Sequence, residues 1–454
     1  MEAQVNGQQA DEPQERPIFL ICTVGGSPQP IATALRLLRP DMVWFLVSDG
    51  KNGQSSRVQV ESPEIEYGRT KDETGREIKI PGPGLKFVEG CPARTEIIEV
   101  PADNPDGAYK ACVSALKEAH RVYYPSHRLI ADYTGGTKSM TGALLMAAFA
   151  RPGVEVQFMA GVRSDLVKIE SGSEKPQIMA ADFILAERDF AAAEQAVEGY
   201  DYAAAVLLLN ALEERLANIG TKPPESWRKL FHRARSWSEA MALWDAFNQK
   251  KAQSRLQGYP PLKDMLEATG HLRPLLALAG RPKGKPDWVT CADLWLNALR
   301  RGARGRYDDA VARLYRLVEA TAQVHLWSRY GLKTGEIAPS EIPEEMRNSC
   351  RVNRNPKTGA EYVQLALNQT IELLRWRDPD DPLVLRVYAD SDSGGGRLQG
   401  PQWLSKRNHS ILAHGFTSID VKAWEEARQW VDTNLTRFFA DASFPQLPSV
   451  IPKP

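Results

Sequence analysis

Leu129–Met140 reads LIADYTGGTKSM, and this stretch decides how the first third of the chain folds. Leu129, Ile130 and Ala131 form an apolar run of the kind found in strands buried on both faces. Gly135 and Gly136 make a turn, and Thr137, Lys138 and Ser139 open an Ala- and Leu-rich helix, TGALLMAAFA, that runs to about Ala150. A strand, a glycine turn and a helix start direct free backbone N–H groups and the positive end of a helix dipole at one spot. Such a spot attracts anions, phosphate above all. The glycines allow a ligand close to the backbone, Thr134, Thr137 and Ser139 add hydroxyls, and Lys138 adds a cation. An ordinary strand-to-helix turn with a Thr N-cap accounts for the same residues. The spacing fits neither a Walker A loop nor a Gly-x-Gly-x-x-Gly fingerprint, so any phosphate cradle here is of another kind.

Working outward, Pro17–Val24 (PIFLICTV) is a second continuous apolar run, followed by Gly25, Gly26 and Ser27 and by prolines 28 and 30, where a helix Ile31–Leu38 begins. Met42–Ser48 (MVWFLVS) is the next buried strand. Strand, helix, strand in this order implies a parallel sheet with a right-handed crossover, which places both glycine turns at the carboxyl edge where open α/β sheets bind ligands. Residues 49–94, rich in Gly, Pro and charge, read as a long excursion with a hairpin around Glu77–Val88. Thr95–Val100 and Val154–Met159 read as further strands and Asp106–Arg121 as an amphipathic helix. The α/β domain closes near residue 170, and Ser171–Gln177 (SGSEKPQ) has linker composition.

From about Asp182 the pattern is helical, with segments at Asp182–Glu198, Tyr202–Asn218, Trp227–Gln249, Leu262–Ala279, Trp288–Arg301, Tyr307–Tyr330, Glu361–Trp376 and Asp420–Phe439. Trp227, Trp237, Trp244, Trp288 and Trp295 fall at helical spacings and are expected in the core. Gly199–Val206 and Arg306–Arg313 are similar aromatic-led helix starts, which two stacked hairpins or mere coincidence would equally produce. The fold class is thus α/β plus all-α: a disordered tail 1–16, a Rossmann-like parallel-sheet domain 17–175, a helical linker domain 176–300 and a C-terminal helical domain 301–454.

Composition narrows the function classes. Lys plus Arg equals Asp plus Glu at 57 each, so no global basic field marks the chain for bulk nucleic-acid binding. The five cysteines, Cys22, Cys91, Cys112, Cys291 and Cys350, are scattered and never in Cys-x-x-Cys spacing, which argues against a disulfide framework and against a zinc site. The polar start of the chain lacks a signal peptide's pattern and no apolar run approaches a membrane span, so a cytoplasmic protein is expected.

A second stretch, Trp403–Phe416 (WLSKRNHSILAHGF), follows a polar loop that includes Asp390–Arg397. If helical, it sets Arg407 and His414, seven residues apart, on one face with Ser410 between them, while His409 points elsewhere. A permanently charged guanidinium beside an imidazole is a minimal kit for phosphodiester cleavage, with Arg stabilising the transferring phosphoryl group, His acting as general base or acid, and an RNA 2′-hydroxyl as nucleophile without a metal. The spacing alone is common: Arg121 and His127 match it too, with Pro125 between them, and a surface arginine with a helix-end histidine beside Gly415 would look the same.

Taken together, DYTGGTKSM and TVGGSP resemble the CARF domain of CRISPR-associated proteins, and RNHSILAHG resembles the Arg-x(4–6)-His motif of HEPN ribonucleases. An N-terminal CARF domain, a helical middle and a C-terminal HEPN domain is the layout of the ancillary RNases of type III CRISPR systems. The resemblance implies a cyclic oligoadenylate, tetra- or hexa-adenylate, bound as an allosteric activator, with no other cofactor and no metal. It implies a messenger pocket lined by Gly25, Gly26, Ser27, Thr134, Gly135, Gly136, Thr137, Lys138 and Ser139. It further implies a homodimer whose two sets of Arg407, Asn408 and His414 form one composite centre cutting single-stranded RNA, with His409 as the other candidate imidazole. Some CARF domains degrade their own messenger; here Ser27, Asp49, Thr134 and Lys138 are the groups placed to do so, and binding only is the simpler expectation.

Two other readings compete. A non-enzymatic cyclic-nucleotide sensor would recruit a partner or DNA through its helical part, and Arg300–Arg306 (RRGARGR) is the one dense basic run it could use; that run reads rather as a solvated loop or a guide for RNA. An enzyme using a nucleotide at Lys138 would want metal-binding carboxylates on neighbouring strand ends, where Asp49 and Asp132 stand.

Overall fold

The computed structural model describes residues 16–51, 53, 55–161, 173, 175–179, 181–217, 224–282, 285, 287–387 and 402–452. The chain divides into two compact units, residues 1–185 and 186–454.

The first unit is an α/β sheet domain. Its strands are β1 (Ile18–Thr23), β2 (Met42–Ser48), β3 (Ile65–Lys71), β4 (Glu77–Gly82), β5 (Thr95–Val100), β6 (Arg128–Asp132), β7 (Val154–Ala160) and β8 (Lys175–Met179). Six of them form one sheet in the order β5-β2-β1-β6-β7-β8, parallel except for the antiparallel last pair. The apolar runs are continuous because both faces are covered. Phe19, Ile21, Trp44, Leu46, Leu129 and Ala131 pack with helices Pro105–Tyr123 and Lys138–Phe149. Leu20, Cys22, Val43, Phe45, Val47 and Ile130 pack on the opposite face with helix Gln29–Leu38. The chain moves outward from β1 through β2 to β5, then returns to the other side of β1 as β6. This reversal makes the crevice between β1 and β6 the switch point of the sheet.

Two expectations for this unit are corrected. The segment read as a linker, Ser171–Gln177, runs into β8, which pairs with β7. The hairpin lies earlier than Glu77–Val88: β3 and β4 pair around a turn in which Asp72 Oδ1 accepts the Thr74 and Arg76 amides, each at 2.9 Å, and Gly75 takes a φ of +81°.

The second unit is helical around one hydrophobic core that extends from Ala186 to Ile451. Trp237 and Trp244 are fully buried in it, and Trp227, Trp288 and Trp295 are packed against it. Helices Trp288–Ala303 and Tyr307–Tyr330 pack together, and the second also meets Leu367–Arg377, Gln402–Asn408 and Val421–Asn434. The similar stretches Gly199–Val206 and Arg306–Arg313 both begin helices, at Tyr202 and Tyr307. Several expected helices are broken. Trp227–Gln249 ends at Asp245, where Phe247 adopts a φ of +58°, and a new helix Gln249–Gln257 begins. Leu262–Ala279 splits at Gly270, and Glu361–Trp376 opens as strand β10 (Glu361–Val363), paired with β9 (Val352–Arg354), before its helix starts at Leu367. No helix among the described residues is long and apolar enough to cross a membrane.

The basic run Arg300–Arg306 is mostly an interior feature. Arg300 is fully buried; its Nε donates to Asp245 Oδ1 at 2.7 Å and its Nη1 to Gln446 Oε1 at 2.5 Å. Arg301 Nη2 reaches Asp245 Oδ2 at 2.6 Å, Arg304 pairs with Asp201, and Gly302 packs against the Trp424 ring. The reading of this run as a solvated or RNA-guiding loop is overturned, because Arg300 and Arg301, on helix Trp288–Ala303, meet the Asp245 carboxylate and Arg304, just after the helix, meets Asp201. Nearby, Asp293 accepts from Trp244 Nε1 and Gln249 Nε2, and burial pushes its carboxyl up to about 6.

Removing one partner of a buried ion pair strands the other charge, so Asp245→Ala should cost about 3–5 kcal/mol in urea unfolding, while Arg306→Ala, at an exposed position, should stay within about 0.5 kcal/mol. Asp293 binds its proton more tightly in the fold than in the unfolded chain, where its pKa is ~3.9. Its contribution to stability is therefore fully present below that value and lost as pH rises through about 6. The Asp293→Asn variant should lack this slope when unfolding is measured across the same interval.

Candidate functional site

The glycine turns meet at the switch point. β1 and β6 pair in register with Cys22 opposite Asp132, so the residues after each strand leave the sheet side by side. Thr23 Oγ1 donates to the Gly135 carbonyl at 2.5 Å. A Cβ built on Gly25 would lie 2.6 Å from the Gly136 nitrogen, and one on Gly135 would lie 2.5 Å from the Thr23 carbonyl oxygen. Gly136 has a φ of +96°, which strains any side-chain-bearing residue. The two loops therefore touch main chain to main chain.

Helices Gln29–Leu38 and Lys138–Phe149 both start at this edge. Thr137 caps the second: its Oγ1 accepts from Met140 N, which leaves the Lys138 and Ser139 amides without an intrahelical acceptor. Gly26, Ser27 and Lys138 are exposed, and Lys138 forms no ion pair with the described residues. Thus the edge offers amide donors, two helix N-termini and one cation to an anion.

The threonines expected to line the pocket are committed internally. Thr134 Oγ1 donates to Asp132 Oδ1 at 2.5 Å and accepts from Met159 N at 2.8 Å. Thr137 Oγ1 donates to the Ala102 carbonyl in addition to capping. Asp132 is buried; burial pushes its carboxyl up, while hydrogen bonds from Thr134 and Gln157 Nε2 (2.9 Å) oppose that shift. It braces β6 and β7 rather than presenting a metal ligand. Asp49 directly follows β2, with Lys51 Nζ 3.8 Å away. Among the described residues no group of three or more His, Cys, Asp or Glu side chains is placed to hold a metal ion.

In the second unit the expected shared helix face is corrected. The helix carrying Arg407 ends at Asn408, and residues 409–417 form a compact turn instead. Ser410 and Thr417 make a bridge, Ile411 N donates to the Thr417 carbonyl at 3.2 Å, and Gly415 N donates to the Ser410 carbonyl at 3.2 Å. Gly415 lies so close to the His409 carbonyl that no Cβ fits. The reversal brings His414 back, where its amide donates to the Asn408 carbonyl at 3.2 Å. Arg407 and His414 thus stand beside one residue, Asn408, on two different carriers. Arg407 Nη1 also donates to Asn408 Oδ1 at 3.3 Å.

Asn408, His409 and His414 are exposed. His409 is tethered through Nδ1 to the Ser405 carbonyl at 2.8 Å, and buried Ser410 faces away from solvent. Lys406 pairs with Glu426 at 2.5 Å. The Arg407 guanidinium carbon stands 4.0 Å from the centroid of the Tyr315 ring, a contact with no local sequence signal because Tyr315 belongs to the distant helix Tyr307–Tyr330. Gly415 was legible only as a helix stop. The polar loop Asp390–Arg397 lies outside the described residues.

Residues 282–438, which include this turn, match the family model of the Csm6 HEPN domain. That segment is similar to the Csm6 HEPN domain. Over its length the chain shares a fold with Csm6 of Enterococcus italicus, solved with cyclic hexa-2′-fluoro-hexa-dAMP: the TM-score is 0.52 at 12% identity, covering 94% of this chain and 95% of that one. Can2 of Sulfobacillus thermosulfidooxidans, solved with cyclic tetra-adenylate, aligns at 15% identity over 76% of this chain and 74% of its own, with a TM-score of 0.22. No curated protein matches the chain. The shared architecture, a Rossmann-type sheet domain followed by a helical region whose residues 282–438 match the HEPN model, agrees with the expected fold class.

Because the glycine turns touch through their backbones, Gly25→Ala should force them apart, at a cost of about 1–3 kcal/mol. Gly26→Ala, with nothing within 4 Å of the added Cβ, should be neutral. Thermal melts of the two variants check the difference.

Proposed function

We propose that the chain is a CRISPR-associated endoribonuclease, activated by a cyclic oligoadenylate at the sheet domain and cutting single-stranded RNA at the HEPN domain. The observation that carries the reading is the family match of residues 282–438, which contains Arg407, Asn408 and His414 on one reversed segment.

In this reading the messenger's phosphates lie against Gly25, Gly26, Ser27, Gly135, Gly136, Lys138 and Ser139, held chiefly by amides and the Lys138 ammonium, with Thr134 and Thr137 shaping the loop from behind. A ring of phosphates is matched best across a two-fold axis, where two such cradles meet, so the working form is a homodimer. Two sets of Arg407, Asn408 and His414 then act on one phosphate. The RNA 2′-oxygen attacks phosphorus, His414 moves the proton, Arg407 stabilises the developing charge, and the 5′-oxygen leaves with a proton, giving a 2′,3′-cyclic phosphate without a metal. The messenger acts as an allosteric ligand by favouring the dimer geometry that is competent for cleavage. No other cofactor is called for.

The non-enzymatic sensor is not favoured, since the basic run it would use to hold DNA is largely engaged with internal carboxylates. The cradle is proposed to bind without cleaving its ligand, because the Thr134 hydroxyl already serves Asp132 and Met159.

Incubation of the protein with a fluorescent single-stranded RNA in EDTA should give cleavage only when cyclic tetra-adenylate or cyclic hexa-adenylate is present. Arg407→Ala and His414→Ala should each abolish it, and the ring should be recovered intact. Cleavage that EDTA stops would remove the metal-free mechanism, and rings that bind without any cleavage would restore the sensor.

A further inference from the structure

We propose that Tyr315 is a positioning residue for Arg407, holding the guanidinium by its face so that its N–H edges stay free for a phosphate. This rests on the nuclease reading above. Arg407 is the last residue but one of a seven-residue helix, a carrier too short to fix a long side chain by itself. Tyr315 belongs to the 24-residue helix Tyr307–Tyr330, whose neighbouring positions Leu314, Leu317 and Val318 are buried in the core, and the two helices pack together. The ring is therefore a rigid platform, and the guanidinium carbon lies 4.0 Å from its centre, within the range of a direct cation–π contact.

What holds an arginine decides what it can still do. A carboxylate would occupy two N–H groups and neutralise the charge. An aromatic face leaves the charge intact and the in-plane donors unspent. The local carboxylates are engaged elsewhere: Glu426 takes Lys406 at 2.5 Å and Glu319 takes Arg316 at 3.5 Å. Among the described residues Arg407 forms no ion pair; Nη1 reaches Asn408 Oδ1, and the buried Nε has no hydrogen-bond partner. An arginine that already has a packed home, no carboxylate partner, and only Nη1 engaged among its terminal nitrogens is poised for an incoming anion.

The ring, not the hydroxyl, carries this role, which separates it from acid–base chemistry. In the full-length protein with its activating ring, Tyr315→Phe should cleave RNA within about twofold of wild type. Tyr315→Leu, which keeps apolar bulk, should lower kcat about 10- to 100-fold with cyclic oligoadenylate binding unchanged. A readout independent of cleavage is the Arg407 Nε–H resonance, assigned by its loss in Arg407→Lys. Ring current should shift it in wild type and in Tyr315→Phe, and Tyr315→Leu should return it to the ordinary arginine position.

If Tyr315→Leu cleaves like wild type while Arg407→Ala does not, this inference is overturned and the nuclease reading stands. An Arg407 resonance unmoved by Tyr315→Leu overturns it as well. If the wild-type protein cleaves no RNA with any ring, the nuclease reading fails and takes this role with it.

Discussion

The parallel pairing of β1 with β6 is the constraint from which the first unit follows. Once Cys22 stands opposite Asp132, the chain leaving each strand has to cross the same few ångströms of space. Only main chain fits there, so Gly25, Gly135 and Gly136 are dictated by sterics before any ligand is considered. The same pairing sends the helices after β1 and β6 to opposite faces of the sheet while starting both at one edge. Asp132 secures the arrangement from inside, tying the turn after β6 to β7 through Thr134 and Gln157.

The second unit solves a different problem, how to put charge inside a helical core. Arg300 and Arg301 share Asp245, and Asn297 Nδ2 adds donors to the Asp245 carbonyl and to its Oδ1. Such a network contributes little net energy over apolar packing, but each member becomes indispensable once the others are buried. It joins helix Glu225–Asp245 to Trp288–Ala303 and, through Gln446, to the chain's last segment.

What the sequence made legible follows the same physics. Pro17–Val24, Met42–Ser48 and Leu129–Ala131 declared themselves as strands because burial on both faces leaves an uninterrupted apolar signature. The helix Tyr307–Tyr330 was read to the residue because aromatic and acidic residues open it and Gly331, at a φ of +68°, closes it. Breaks inside helical runs were hidden: Gly270 reads as a tolerated helix glycine, and nothing in Phe247 announces a left-handed backbone. The basic run was misread because charge says nothing of its surroundings, and carboxylates distant in sequence decided that Arg300 lies inside. His414 was placed on a helix because its local residues are good helix formers, whereas the contact of Gly415 with the His409 carbonyl is visible only in three dimensions. Tyr315 could not be found at all, since its relation to Arg407 exists only through packing.

The inward-turned threonines of the first unit have a consequence for how this edge can change over evolutionary time. An anion site of the kind proposed, composed mainly of peptide amides, has few side chains to exchange, and Gly25, Gly135 and Gly136 leave no room for a side chain. Point substitution is therefore a poor instrument for retuning it. Shifts in which anion the proposed site takes would come instead from insertions and deletions in the surrounding loops, so the excursion between β2 and β5 is where relatives should diverge in length while the turns themselves stay fixed.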